Sequence, residues 1–342
     1  MAQEKKESLM LLSGAHPVHV QFAGSIDSET FRVPVRATKS QSAPLKALSL
    51  FQGALSVPTG YKYEVCESCY FYPAIKRKLG LLPNSKIINL SGGPILYYIL
   101  SGRVKGFEAR LLKDLLNSVD GHLVYAKFGE YILKQLNITK PIRKIYPFIK
   151  SGLYENLLKG KPSLDSHRLC IVATSDAYNK GLDILFRALN TVAEQFPDVK
   201  VEIVSRMDPS EISSMGSYDP ARVILSSNVS DMEKVLSRSS LYIQPSRSET
   251  FSISALEAMA GGIPSLVSDQ CGVKELVEKV DKRLVIPVDE KALSKSIIDY
   301  FGFSKSERLS LSKKSRETAL PFNEKNMLKD FRDQFESLKK EI

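Results

Sequence analysis

From residue 168 onward, short runs of apolar residues alternate with stretches in which apolar residues recur every third or fourth position. The run "RLCIVAT" (168–174) has no polar face and predicts a buried strand. In "GLDILFRALNTVAEQF" (181–196), Leu182, Leu185, Phe186, Leu189, Val192, Ala193 and Phe196 line one face of a helix. "VKVEIVS" (199–205) predicts the next strand and "DMEKVLSRS" (231–239) the next helix. "LYIQPS", "PSLVSD" and "LVIPV" continue the strands, with an apolar helix around residue 257 between the first two. Such alternation predicts a parallel sheet covered on both faces, whose ligands bind beyond the carboxyl ends of the strands.

The first half follows the same plan more loosely. "APLKALSLFQGAL", "FEARLLKDLLNSVD" and "KFGEYILKQL" read as helices, and "YKYEVCES", "KIINLS", "HLVYA" and "IRKIYPFI" as strands. Residues 1–40 show no decisive period. A chain of 342 residues is too long for one ordinary core, and regular alternation stops within residues 147–162. The expected fold class is therefore α/β, with two Rossmann-like domains facing each other across a cleft. Their expected limits are 1–152 and 153–320. Residues 321–342, which include the amphipathic segment "EKNMLKDFRDQFESLKKEI", are expected to form a C-terminal helix crossing back to the first domain.

One helix does not fit a purely structural reading. In "SRSETFSISALEAMAGGIPSLVS" (246–268), Glu257 stands among Ala255, Leu256, Ala258, Met259 and Ala260. A helix apolar nearly all round is a buried helix, and a carboxylate buried there is costly unless paired or hydrogen-bonded. Glu249 lies eight residues earlier, on the loop that leads into the helix. Eight helical residues rise roughly 12 Å, about the span of a nucleotide sugar from hexose to ribose. One carboxylate can accept hydrogen bonds from a ribose diol and the other from sugar hydroxyls. The pyrophosphate between them would rest on the open N–H groups of the first helical turn, with Ser248, Ser252 and Ser254 as hydroxyl donors. Gly261 and Gly262 end the helix, and Pro264 prevents its resumption.

Lys180 points the same way. It opens a helix with Asn179 as N-cap, where the helix dipole disfavours a cation unless an anion sits between them. Gly181 allows another group to approach closely. The bland reading is an exposed lysine tolerated there by chance.

Here the residues carry a resemblance. "PSRSETFSISALEAMAGGIPSLVSDQCGVKELV" resembles the signature of retaining, nucleotide-sugar-dependent glycosyltransferases of the GT-B type, family 4. The E-x7-E pair is Glu249 and Glu257, followed by the Ala-Met-Ala-x-Gly-x-Pro string. "NKGLDILFRAL" is similar to that family's lysine–glycine helix. The likeness is dense over residues 168–280 and legible over 86–150. It implies a GT-B fold, with an acceptor-binding first domain and a nucleotide-sugar-binding second domain. It further implies metal-independent transfer of a sugar from a UDP- or GDP-sugar to an acceptor hydroxyl, with retention and with no cofactor beyond the donor. Lys180 would contact the diphosphate, Glu257 the ribose, and Glu249 the transferred sugar. Thr250, Phe251, Ser252, Ile253 and Ser254 would hold sugar and distal phosphate through their backbone. Asn228 and Val229 would lie beside the base. Glu249 and Lys180 are the catalytic candidates.

The chain also departs from the pattern. The arginine usual five or six residues before the lysine is replaced by Ser175 and Thr174, and Arg206 could supply its charge. "SGGP", with Ser91, Gly92 and Gly93, stands where the first domain often has His-Gly. "SGAHP", with Gly14 and His16, could fill the place of an early Gly-Gly loop. No D-x-D string occurs, so a metal-bound diphosphate is not expected.

Charge changes the picture in one respect. Residues 1–160 hold 22 Lys and Arg against 11 Asp and Glu, which accounts for the whole net charge of +10. An anionic partner is expected for that half: a lipid-linked or anionic acceptor, or an acidic membrane surface. "YFYPAIKRKLG" (70–80) sets Lys76, Arg77 and Lys78 beside aromatics, a combination suited to a membrane interface, and "RVKGFEARLLK" adds Arg103, Lys105, Arg110 and Lys113. A solvated basic surface is the plain alternative.

No run approaches the roughly 18 apolar residues needed to span a bilayer, and the first residues do not resemble a signal peptide. The expected location is cytoplasmic, peripheral at the membrane at most. Cys66 and Cys69 form a C-x-x-C pair without two further ligands for zinc, and read as ordinary thiols rather than a redox pair. Other readings are a sugar-nucleotide epimerase of the same fold, for which no extra acid and base can be placed, and a non-catalytic sugar-nucleotide binder. A nucleic-acid-binding role has no motif to support it.

Overall fold

A computed structural model describes residues 6–14, 17–33, 43–82, 84–174, 176–227 and 232–342. The chain divides into two compact units, residues 1–147 with 325–342, and residues 148–324.

The first unit is built on six strands: β1 (Ser8–Leu12), β2 (Glu29–Arg32), β3 (Tyr63–Glu67), β4 (Lys86–Ser91), β5 (Gly121–Tyr125) and β6 (Ile142–Ile145). They form one sheet in the order β2-β1-β3-β4-β5-β6, every pair parallel. Between them run α1 (Pro17–Ser25), α2 (Ala43–Ser56), α3 (Phe71–Lys78), α4 (Ile95–Leu100), α5 (Gly106–Asn117) and α6 (Ala126–Gln135). Side chains alternate across a strand. Leu9, Leu11, Cys66, Ile87 and Val124 therefore share one face and one core with Ala54, Tyr72, Leu116 and Phe128 from the helices. Gly53 of α2 lies so close to the Tyr72 ring that a Cβ there would sit 2.2 Å from it.

The second unit repeats the design. It begins with α7 (Ser151–Lys159), then β7 (Arg168–Val172), α8 (Leu182–Gln195), β8 (Lys200–Val204), α9 (Pro209–Ser213), β9 (Val223–Ser226) and α10 (Met232–Ser237). There follow β10 (Leu241–Gln244), α11 (Ile253–Ala260), β11 (Ser265–Ser268), α12 (Lys274–Val280), β12 (Val285–Ile286), α13 (Glu290–Gly302) and α14 (Lys305–Ala319). The strands form a second parallel sheet, β12-β11-β10-β7-β8-β9.

The last helix, α15 (Glu324–Lys339), covers the other face of the first sheet. Phe331 stacks on Phe22 of α1 with ring centroids 4.1 Å apart, and Phe335 meets the edge of Tyr63. A Cβ on Gly121 would come within 2.9 Å of Leu338, so the small residue lets this helix settle on β5.

Each sheet has one place where the strand order reverses. In the first it lies between β1 and β3, and in the second between β7 and β10. Loops that leave neighbouring strands in opposite directions open a crevice at their carboxyl ends, and that is where ligands of doubly wound sheets bind.

The structure changes one expectation from the first half and agrees with another. The charges of residues 76–78 are mostly not on the surface. Lys76 is buried, with its ammonium donating to the Val57 carbonyl. Arg77 binds Asp120 at 2.6 Å and the Ser118 carbonyl at 2.6 Å. Tyr70 and Tyr72 are core residues. Lys78 alone of the three is exposed, paired with Asp114. This segment cannot be the membrane-facing motif its composition suggested. Cys66 and Cys69 are free, buried thiols that donate to the carbonyls of Glu64 and Leu11. Burial pushes the Cys66 thiol far above its ordinary range, so it is not a reactive thiolate.

Candidate functional site

The crevice between β7 and β10 gathers the residues singled out in the second half. After β7 the chain turns through residues 176–181, and after β10 through 245–252. Backbone and side chains bind the two turns together. Asn179 donates from Nδ2 to the Ser248 carbonyl at 2.8 Å, and the Arg247 N–H donates to the Asn179 carbonyl at 2.8 Å. Asn179 is therefore not a helix cap: the N-cap of α8 is Gly181, in a left-handed conformation with φ +75° and no side-chain cap. A Cβ on Gly181 would lie 2.3 Å from the Pro245 carbonyl oxygen, so the group that approaches it is the second turn itself.

Arg247, which sequence reasoning passed over, is the clamp. Its guanidinium holds both oxygens of Asp183 at 2.7 and 2.8 Å and lies 3.7 Å from the Tyr178 ring centroid. Such two-point pairing fixes orientation as well as distance. Held between these turns, the Lys180 ammonium binds the Glu249 carboxylate. Burial works against its charge, but attraction from Glu249, with Cys271 and Asp176 adding to it, outweighs burial and holds Lys180 above its ordinary range. The two catalytic candidates are thus each other's partner, both largely shielded from solvent.

The stretch after Glu249 is fixed from a third side. The Glu249 N–H donates to Gln270, and the N–H groups of Gly272 and Val273 donate to the carbonyls of Glu249 and Phe251. A Cβ on Gly272 would come within 2.1 Å of the Thr250 oxygen. Phe251 is buried and anchors the loop from below. Ser252 then takes φ +81°, a strained conformation for a residue other than glycine.

Two of the three expected hydroxyl donors serve the fold instead. Ser252 Oγ caps α11 by accepting from the Ala255 N–H, and it donates to Gln244. Ser254 Oγ is 2.7 Å from Tyr242 Oη, which donates to Gln244 Oε1 at 2.6 Å. Ser248 Oγ, also buried, has no partner among the described residues. The first N–H groups of α11 remain the natural seat for an anion.

Glu257 corrects the picture of a helix buried all round. Ile253, Ser254 and Glu257 form its partly open stripe, while Ala255, Leu256, Ala258, Met259 and Ala260 are buried. The surroundings still desolvate the Glu257 carboxyl and push it up to about 7, against some attraction from Lys150. Arg206 is exposed just beyond β8, without an ion pair among the described residues. His16, Asn228 and Val229 lie outside the described residues.

The reversal point of the first sheet holds a different constellation. Glu67, at the end of β3, accepts at one oxygen from the Ser13 N–H (2.9 Å), the Ser13 hydroxyl (2.5 Å) and the Gly14 N–H (3.2 Å). Its other oxygen lies 3.6 Å from His19 Nδ1, and His19 Nε2 is 3.0 Å from Tyr125 Oη. Burial lowers His19 to about 4, so it is neutral near pH 7. A Cβ on Gly92 would be 3.2 Å from both Glu67 and His19, and one on Gly93 would be 3.0 Å from Ser68 Oγ. Ser91 accepts from Asn89.

Gly14 and Gly92 both lie beside Glu67, a carboxylate of the chain itself. A carboxylate ending the apolar strand "YEVCE" was the signal for it.

With this geometry in hand, likeness to known proteins can be stated. Residues 166–301 match the family model described as "Glycosyl transferases group 1". The phosphatidyl-myo-inositol mannosyltransferase of Mycolicibacterium smegmatis is 28% identical over 137 residues, 39% of this chain and 35% of that protein. Its counterpart in Mycobacterium leprae is matched over 42% of its length, so the aligned part of this chain spans well under half of these relatives. The sucrose-phosphate synthase structure from Thermosynechococcus elongatus superimposes with a TM-score of 0.73 at 16% identity, covering 98% of this chain and 100% of that one. Two parallel six-stranded sheets with interleaved helices and such structural neighbours establish that the chain has the GT-B fold of glycosyltransferases, and its residues 166–301 are similar to the glycosyl transferases group 1 family.

Proposed function

We propose that the protein is a retaining glycosyltransferase that moves a hexose from a UDP- or GDP-sugar to the hydroxyl of a lipid-linked or anionic acceptor. The observation that carries this reading is the Lys180–Glu249 pair held at the head of α11, two turns before Glu257. The family-model match over residues 166–301 supports it, as do the similarity to mannosyltransferases and the lipid acceptor named for one of them.

In this reading the Glu257 carboxylate accepts from the ribose hydroxyls and the diphosphate sits over the open N–H groups of α11. Glu249 orients the sugar by accepting from its hydroxyls. Lys180 turns from Glu249 toward the diphosphate. The bond between the anomeric carbon and the diphosphate oxygen breaks, and the acceptor oxygen bonds to that carbon on the same face. The acceptor proton passes to the departing diphosphate. The ammonium and the helix terminus stabilise the charge that gathers there, an effect that grows from ground state to transition state. No step calls for a metal or a cofactor.

A thermal-shift panel of UDP, GDP, ADP and CMP tests the reading. One nucleoside diphosphate should stabilise the parent, and Glu257→Ala should abolish that stabilisation. Indifference of the parent to all four would refute it.

A further inference from the structure

Lys180 and Glu249 stand 69 positions apart in the chain, yet each is the ion-pair partner of the other. Nothing local brings them together. They meet because Asn179 and Arg247 tie the turn after β7 to the turn after β10. Their side chains are 17 and 18% exposed, so most of the pair is out of water while a part stays within reach of a ligand. Among the described residues neither group has a second ion pair. Asp176 adds attraction to Lys180, and Cys271, pushed up to about 12 by burial, brings no charge near pH 7.

Taking one member from such a pair leaves the other poorly solvated and uncompensated, which costs more than the pair itself contributes. A bare diphosphate demands that exchange. It draws the ammonium away and leaves Glu249 without a cation, beside new negative charge. A diphosphate that carries a sugar brings hydroxyl donors for Glu249 in the same event, and hydrogen bonds to a carboxylate are charge-assisted. The two ends of the ligand are then coupled through the pair, each making room for the other.

We propose that the Lys180–Glu249 pair is a specificity latch: an internal competitor through which the crevice holds an intact nucleotide sugar far more tightly than the nucleoside diphosphate left after transfer. This rests on the transfer reading and deepens it. Once the sugar has gone, Glu249 reclaims the ammonium, and the spent diphosphate loses its cation and departs. The pair is thus more than a resting place for two ligand-binding side chains, because it sets which ligand displaces it.

The test is calorimetric titration of the full chain with UDP, UDP-glucose, GDP and GDP-mannose. For the base that binds, the parent should favour the nucleotide sugar over its diphosphate roughly ten- to a hundredfold. Glu249→Gln keeps the shape and frees Lys180, so it should bind the bare diphosphate about tenfold more tightly than the parent does. Glu249→Ala should behave alike, so the outcome does not depend on one variant folding, and circular dichroism checks both. Lost repulsion alone would also raise this affinity. The gain is therefore measured again in the Lys180→Met background, as a double-mutant cycle. There it should shrink to about threefold or less, because no ammonium is left to release. Three results overturn the latch and leave the transfer reading standing: a parent that holds diphosphate and nucleotide sugar equally, Glu249 variants that bind the diphosphate no better than the parent, or a gain equally large with Lys180→Met. Failure of the parent and of both Glu249 variants to bind any of the four ligands overturns the transfer reading as well.

Discussion

Replacing Glu257 with glutamine should stabilise the free protein while weakening its hold on the nucleotide. Desolvation raises the Glu257 carboxyl from its ordinary 4.5 to about 7. The sign follows from proton uptake: between those values the folded state holds the proton more tightly than the unfolded chain does. Below pH 4.5 both states are protonated and the residue costs nothing. As pH rises to 7 the penalty grows, and above 7 it is complete. The gap between 4.5 and about 7 corresponds to on the order of 3 kcal/mol. The side chain is partly open to solvent, which reduces this to about 1–3 kcal/mol. For a unit of this size that is a Tm difference of roughly 2–10 °C.

Glutamine keeps the shape and removes the ionisation. Glu257→Gln should therefore match the parent near pH 4.5 and exceed it in Tm at pH 8. A ribose diol donating to a carboxylate makes charge-assisted bonds, so nucleotide affinity should fall roughly ten- to a hundredfold in the variant. The parent's own affinity should weaken as pH falls below about 7, and the variant's should not. Scanning calorimetry from pH 4.5 to 8.5, with and without the nucleoside diphosphate that stabilises the parent, reads all of these. Parallel pH profiles for the two proteins, or a variant that binds nucleotide like the parent, would show that Glu257 is neither desolvated nor a ligand.

Three further substitutions probe the supports of the two crevices. Gly181→Ala forces a Cβ toward the Pro245 oxygen at a left-handed position; it should cost about 2–4 kcal/mol in urea unfolding and displace Lys180 from the donor. Arg247→Ala leaves Asp183 without the guanidinium that holds both its oxygens. It should cost about 1.5–3 kcal/mol and weaken nucleotide binding without itself touching the ligand, as calorimetric titration can show. Glu67→Ala strands the Ser13 and Gly14 N–H groups, so amide exchange there should accelerate, with a loss of roughly 1–3 kcal/mol in the first unit.

What could be read from the chain in advance was local. The strands and helices of the second half follow their apolar spacing, and Glu257 announced itself as a carboxylate in an apolar run. Glu249 lies on the loop before α11 and the glycines at 261 and 262 end it, as their neighbours suggested, whereas Lys180 lies in the turn before α8 rather than opening it. What was hidden depends on partners far along the chain. Arg247 reads as one more polar loop residue until Asp183, 64 positions earlier, is found beneath it. Asn179 looked like a cap because caps are local, yet its amide serves the loop after β10. Lys76 and Arg77 read as surface charge because cations usually are; a carbonyl 19 residues away and a carboxylate 43 residues away draw them inward.

The central claim is that the Lys180–Glu249 pair belongs to a sugar-transfer site. Its most direct test is release of nucleoside diphosphate from the cognate nucleotide sugar by the parent and by Glu249→Ala, after both are shown to bind the nucleotide. The account predicts turnover by the parent, binding without turnover by the variant, and an anomeric configuration retained in the product. Equal turnover by parent and variant would contradict it.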